Sequence, residues 1–136
     1  MILTDTGPLV ALLDQDDPNH AACLDAAQRL PAQPLLTTWA CFTEAMYLLG
    51  AVGRYRYQAE LWRLWTTGKL VLHDLTFAEM QRMMMLMAQY HDTPMDLADA
   101  SLVVVAESRN LQQIFSLDND FYIYRLANGS VLDIIR

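Results

Sequence analysis

Five short, largely apolar runs punctuate the chain: Ile2-Leu3-Thr4, Leu35-Leu36-Thr37-Thr38, Leu70-Val71-Leu72, Leu111-Gln112-Gln113-Ile114-Phe115 and Val131-Leu132-Asp133-Ile134-Ile135. They lack the apolar and polar alternation of a sheet with one wet face, so they predict strands buried on both sides. The segments between them carry helical spacing. Leu9, Val10, Leu12 and Leu13 follow Asp5-Thr6-Gly7-Pro8, a strand-to-helix turn, and His20, Cys23, Leu24, Ala27 and Leu30 mark a helix over 19–30. Helix formers over 39–49 run up to Gly50 and Gly53, which are expected to end them. Tyr57, Leu61, Leu64 and Trp65 form a stripe over 54–67, and 76–90 is rich in Met. Thr93-Pro94-Met95-Asp96 reads as a helix opening, with Thr93 as cap, Pro94 in the first turn and an acid three residues after the cap, continuing from Leu97 to Ser108. Strands alternating with helices predict an α/β fold, a three-layer α/β/α sandwich around a mainly parallel sheet.

A chain of 136 residues, 54% of them hydrophobic, suits one domain spanning 1–136 with a core of its own. The uncharged stretches 30–43 and 45–53 are split by Glu44 and broken by Pro31 and Pro34, so no membrane span is expected. The opening residues reach Asp5 without a basic region and do not read as a secretory signal. The expected location is the cytoplasm. Cys23 and Cys41 lack metal-ligand spacing and read as small core residues.

Nine basic against sixteen acidic residues give a net charge of -7, which excludes a sequence-independent grip on a polyanion through a broadly basic surface. Arg54, Arg56, Arg63 and Lys69 are the one local concentration of cations. They either flank a binding cleft or form a solvated helix face.

The placement of the acids carries more information than their number. Asp5 is the only charge among the first thirteen residues, and Glu44 the only one between Arg29 and Arg54. Asp99 sits within Leu97-Ala98-Asp99-Ala100-Ser101-Leu102-Val103-Val104-Val105-Ala106, and Asp118 is the first charge after Arg109. Burying an isolated carboxylate costs several kcal/mol, so each requires a partner, a proton or a cation. Asp5 and Asp118 fall at the carboxyl ends of predicted strands, where doubly wound sheets form their crevice. Asp96 and Asp99, three apart at a helix start, share a face toward that end. Carboxylates gathered there suit hard, oxygen-seeking Mg²⁺ or Mn²⁺. The competing reading of each acid alone is a helix cap or turn former. It fits Asp96 best, which therefore ranks below Asp99. Asp120 is either a supporting group or a solvated loop acid, Asp14, Asp16 and Asp17 a solvated cluster, and His91 and Asp92 surface residues.

Thr4-Asp5-Thr6-Gly7-Pro8, Thr43-Glu44-Ala45, Met95-Asp96-Leu97-Ala98-Asp99-Ala100 and Ser116-Leu117-Asp118-Asn119-Asp120-Phe121 resemble, in order and spacing, the four acidic motifs of PIN-domain ribonucleases. The resemblance spans essentially the whole chain and is nearest to the single-domain VapC-like toxins of bacterial toxin-antitoxin pairs. It implies that Asp5, Glu44, Asp99 and Asp118 form a catalytic, metal-binding quartet, with Ser116 as a supporting hydroxyl. It further implies Mg²⁺- or Mn²⁺-dependent endonucleolytic cleavage of single-stranded RNA, a homodimer, and an apolar groove for a cognate antitoxin. Met80, Met83, Met84 and Met87 are adaptable core packing or, in part, a face for such a partner.

Two rival acidic-site enzymes fit less well. A phosphatase of the haloacid-dehalogenase type needs a second Asp where this chain has Gly7, and a receiver domain needs a late lysine, whereas Lys69 lies mid-chain. A non-catalytic PIN-like scaffold that binds RNA or protein, and a housekeeping RNA-processing nuclease, remain as alternatives.

Overall fold

The computed structural model describes residues 1–136. The five runs form strands β1 (Ile2–Thr4), β2 (Leu35–Thr38), β3 (Leu70–His73), β4 (Gln113–Phe115) and β5 (Asp133–Ile135). All pair in parallel, in the spatial order β3-β2-β1-β4-β5. Successive strands step outward from β1 to one edge, then return to its other side with β4. Winding thus reverses between β1 and β4, and a crevice opens outside the carboxyl ends of those two strands.

Helices α1 (Thr6–Leu13), α2 (His20–Arg29) and α3 (Trp39–Thr66) cover one face of the sheet, and α4 (Phe77–Gln89) and α5 (Leu97–Arg109) cover the other. Alternation along each strand sorts the core between the two faces. Leu3, Leu36 and Ile114 join the α4 and α5 side, while their neighbours Ile2, Leu35 and Phe115 pack with α1, α2 and Cys23. Of these, the fully buried Leu3, Leu36, Ile114 and Phe115 each contribute roughly 1.5–3 kcal/mol of transfer free energy. Helix α5 is buried without interruption from Ala98 to Ala106, because the sheet, α4 and the segment through Phe121 and Tyr124 enclose it. This explains its nearly unbroken apolar sequence. Cys23 and Cys41 are free and buried, as expected. No helix is long and apolar enough to cross a membrane.

Two local expectations are corrected. Gly50 and Gly53 do not end a helix. The chain stays helical through both and reverses at Arg54, whose φ of 55° and ψ of -147° break α3 into two halves. The halves fold back on each other, with the rings of Phe42 and Trp62 5.1 Å apart and the Gln58 amide donating to the Met46 carbonyl at 3.2 Å. The glycine at 53 serves close approach, since a Cβ there would collide with the Tyr57 ring. The cap of α5 is Asp96, not Thr93. Thr93 and Pro94 lie in a turn, and Asp96 and Asp99 form a capping box in which each carboxylate accepts from the other's N–H, at 2.8 and 3.2 Å. Two otherwise orphaned amides are satisfied at once, which a cap at Thr93 does not offer.

Candidate functional site

Four separate pieces of the chain deliver acids to the crevice. Asp5 leaves β1 and caps α1, its Oδ1 accepting from Thr6 N–H at 2.8 Å. Its Oδ2 accepts from the Ser116 hydroxyl at 2.8 Å. Ser116 follows β4 directly, and its Oγ also accepts from Asp118 N–H at 3.0 Å, so one hydroxyl orients the strand ends on both sides of the crevice. Asp118 caps a short 3-10 turn (Asn119–Tyr122), its Oδ1 accepting from Asp120 N–H at 2.9 Å. Glu44 projects from the first half of α3, exposed and without a hydrogen-bonding protein partner. Helix α3 starts at Thr38, whose buried hydroxyl bonds Ser101 Oγ at 2.7 Å, fixing the start of α3 against α5. Asp99 is buried, and its Oδ2 accepts from Asp96 N–H and, at 3.3 Å, from the Tyr124 hydroxyl.

Asp5, Glu44, Asp96, Asp99 and Asp118 line one cleft of about 350 Å³. The structure therefore brings all four acids of the expected quartet together, with Asp96 beside them. Asp120 stands outside the cleft lining and contributes its backbone N–H to Asp118. Capping and clustering coexist: Asp5, Asp96 and Asp118 each cap a helix start, and Asp99 completes a capping box, yet each still faces the cleft. The two roles are compatible because a carboxylate has two oxygens and a cap uses one.

No Lys, Arg or His pairs with any of these carboxylates. Their protonation reflects it. Burial pushes the Asp99 carboxyl up to about 7, against the Asp96 N–H bond that lowers it and with the charges of Asp96, Asp5 and Asp118 reinforcing the rise. Burial likewise raises Asp5, opposed by Ser116 and Thr6 and reinforced by Asp118 and Asp96. Glu44, although exposed, is raised by partial desolvation against the cleft wall and by the charges of Asp96 and Asp5. The cleft is a concentration of negative charge in want of a cation. Its donors are all hard carboxylate oxygens, a set that suits Mg²⁺ or Mn²⁺. No three of the side chains converge closely enough, as placed, to grip one ion. Glu44 is exposed, and no hydrogen bond to the protein fixes its carboxylate.

Of the two readings of the basic cluster, the structure supports the solvated face. Arg56 shares a depression with Leu12, Leu13 and His20 at the end of α1 opposite Asp5, Arg63 pairs with Glu60, and Lys69 lies at the amino edge of β3. These residues are a solvated face, held away from the crevice by the reversal at Arg54. A second feature adjoins the cleft: an apolar groove of about 780 Å³ between α3, α4 and the start of α5. Met80, Met83, Met84 and Met87 line it together with Trp39, and Glu44 and Asp96 belong to both groove and cleft. Met83 is core, whereas Met80 and Met84 are exposed, so the Met stripe divides between the two expected roles. Tyr124, Thr38 and Ser101 escaped the sequence reading because buried hydroxyls within apolar stretches look like ordinary core.

The PIN domain family model matches residues 2–127. Among solved structures, VapC20 of Mycobacterium tuberculosis, described as a sarcin-ricin loop cleaving toxin, is similar over 100% of both chains, with a TM-score of 0.84 and 15% identity. A toxin-antitoxin complex from Klebsiella pneumoniae is similar over 100% of this chain and 97% of that one, with a TM-score of 0.67 and 14% identity. FitAcB from Neisseria gonorrhoeae is similar over the same shares, with a TM-score of 0.62 and 15% identity. At such identities the likeness is one of fold. No curated protein sequence matches the chain.

Proposed function

We propose that this chain, which belongs to the PIN-domain family, is a divalent-metal-dependent endoribonuclease acting on single-stranded RNA, the toxin of a toxin-antitoxin pair. In this reading residues 1–136 act as one nuclease domain in the cytoplasm. Asp5, Glu44, Asp99 and Asp118 are the catalytic ligands of Mg²⁺ or Mn²⁺. The observation that supports the proposal is that these four acids, from four separate segments, line one cleft that holds no cationic side chain.

A divalent ion in the cleft supplies Lewis acidity toward a scissile phosphate and an attacking water. The protein's part is positioning and electrostatics, which is most of what phosphoryl transfer asks. Asp5 is the most firmly held ligand, fixed through both oxygens. Asp118 and Asp99 each have one oxygen tied to the protein and one unbonded to it, and Glu44 closes the set from α3. No nucleophilic Ser or Cys is needed, in keeping with the buried, structural settings of Ser101, Ser116 and Cys41.

The partners are a cognate antitoxin, seated in the apolar groove beside the cleft, and a second copy of the chain. Support for the antitoxin comes from the groove itself and from the likeness to a chain described within a toxin-antitoxin complex.

The deciding experiment is cleavage of single-stranded RNA with Mn²⁺ and with EDTA, using wild type, Asp5→Asn and Asp99→Asn. The expected result is cleavage by wild type with Mn²⁺ alone. Cleavage that survives EDTA, or persists in both variants, overturns the site. A Mn²⁺-binding chain that cuts no single-stranded RNA favours the scaffold reading instead.

A further inference from the structure

Tyr124 lies outside all four acidic stretches, yet its hydroxyl reaches one of the candidate ligands. The side chain is 2% exposed and is held edge-on by Phe121 and Tyr90, with ring centroids 5.6 and 5.2 Å away. Its backbone is anchored as well. Tyr124 N–H donates to the Asp120 carbonyl at 3.3 Å, and the next amide, Arg125 N–H, donates to the Tyr90 hydroxyl at 2.8 Å. A phenol so confined has one polar atom to satisfy, and burial makes an unpaired hydroxyl costly. Its acceptor is Asp99 Oδ2 at 3.3 Å. The second donor to Asp99, Asp96 N–H, lies on the same oxygen, and Oδ1 has no protein donor at all.

We propose that Tyr124 is a positioning residue of the candidate metal site: it fixes Asp99 with Oδ2 turned into the protein and Oδ1 alone presented to a cation. The inference rests on the reading of Asp99 as a metal ligand. A ligating carboxylate works best when its remaining oxygen is held by a partner, because the partner sets the carboxylate plane before the ion arrives. The 3-10 turn that Asp118 caps leads, two residues past its end, to Tyr124. One short segment therefore sets a ligand on one side of the cleft and the orientation of a second ligand on the other.

The test is calorimetric titration of Mn²⁺ alone into the full chain as wild type, Tyr124→Phe and Asp99→Asn. It is run at a temperature where melting in EDTA shows all three folded. Phenylalanine keeps the ring contacts and removes only the hydroxyl. Tyr124→Phe is expected to weaken Mn²⁺ binding about tenfold, the lower end for loss of such a partner, since 3.3 Å is long for an O–H···O bond. RNA cleavage by this variant should fall at limiting Mn²⁺ and recover at saturating Mn²⁺. A purely structural tyrosine would lower the melting temperature without moving Mn²⁺ affinity, and that result overturns the proposal. Unchanged affinity in Tyr124→Phe, with binding lost in Asp99→Asn, removes the role of Tyr124 and leaves Asp99 in place. Wild-type binding by Asp99→Asn, or no binding by wild type, overturns the reading on which both rest.

Discussion

The Ser116 hydroxyl donates to Oδ2 of Asp5 at 2.8 Å although 111 positions separate the two residues. The bond crosses the point where the sheet's winding reverses, joining the ends of β1 and β4. It also favours the ionised form of a carboxyl that burial pushes toward its neutral form. Ser116→Ala removes this donor and the acceptor of Asp118 N–H together. The expected cost at about pH 8 is roughly 1–3 kcal/mol, measured by urea denaturation in EDTA. The cost should be smaller at an acid pH low enough to protonate Asp5, since its raised carboxyl, once neutral, asks less of its donors. An equal loss at both pH values would mean that the bond does not bear on ionisation.

The unpaired carboxylates make the metal-free chain sensitive to base. Asp99, at about 7, binds its proton more tightly folded than unfolded, and Asp5 and Glu44 shift in the same direction. Groups so raised contribute stability that is complete below the ordinary carboxylate range and is lost as pH rises through the folded value. Glu79 works the other way. Burial opposes its ionisation, but Ser108, Thr76 N–H and His73 together hold it down at about 2, so its contribution fades in acid. In EDTA the melting temperature should therefore fall between about pH 5 and about pH 8. Mn²⁺ should reduce that fall, and Asp99→Asn should flatten it while adding on the order of 2 kcal/mol at the alkaline end. A melting temperature that rises over this range in EDTA would contradict the assigned burial of the cluster.

What was legible in the sequence and what was not divide along one physical line. Asp5, Glu44, Asp99 and Asp118 stood out because a charge in an apolar stretch has to be answered, and the strand runs stood out because a sheet covered on both faces tolerates no polar alternation. Tyr124 did not, since a tyrosine three residues from Phe121 has the spacing of ordinary core, and its hydroxyl matters only once α5 lies beside it. The sequence marks Gly50 and Gly53 as a helix end, but the chain stays helical through both, and close packing against Tyr57 is what requires Gly53. The misplaced cap at Thr93 has a similar origin. Local pattern offered two openings three residues apart, and the reciprocal bonds between Asp96 and Asp99 decided between them.

The contact between Thr38 Oγ1 and Ser101 Oγ, 2.7 Å and fully buried, ties the helix carrying Glu44 to the helix carrying Asp99. Thr38 also accepts from Cys41 N–H at 3.3 Å as the cap of α3. Thr38→Val preserves shape and deletes both bonds, with an expected loss of about 1–2 kcal/mol. Ser101→Ala loses the shared bond and the one to the Ala98 carbonyl. The double variant should lose less than the sum of the two, because the shared bond is counted twice. Chemical denaturation of the four proteins checks this, and strict additivity would show that the two hydroxyls act independently.

The reversal at Arg54 stores strain that a single substitution should release. A φ of 55° with ψ of -147° lies where glycine alone is at ease, and holding another residue there costs on the order of 1–3 kcal/mol. The Arg54 side chain is exposed and makes no ion pair, so little offsets that cost. Arg54→Gly relieves the Cβ crowding but gives up roughly 0.5–1 kcal/mol to the greater freedom of glycine in the unfolded chain. The net expectation is a gain of about 1 kcal/mol, seen as a higher melting temperature with RNA cleavage unchanged. Arg54→Ala retains the Cβ and should leave stability where it is. If alanine stabilises as much as glycine, the relief comes from losing the charge, and the backbone at the bend is not under strain.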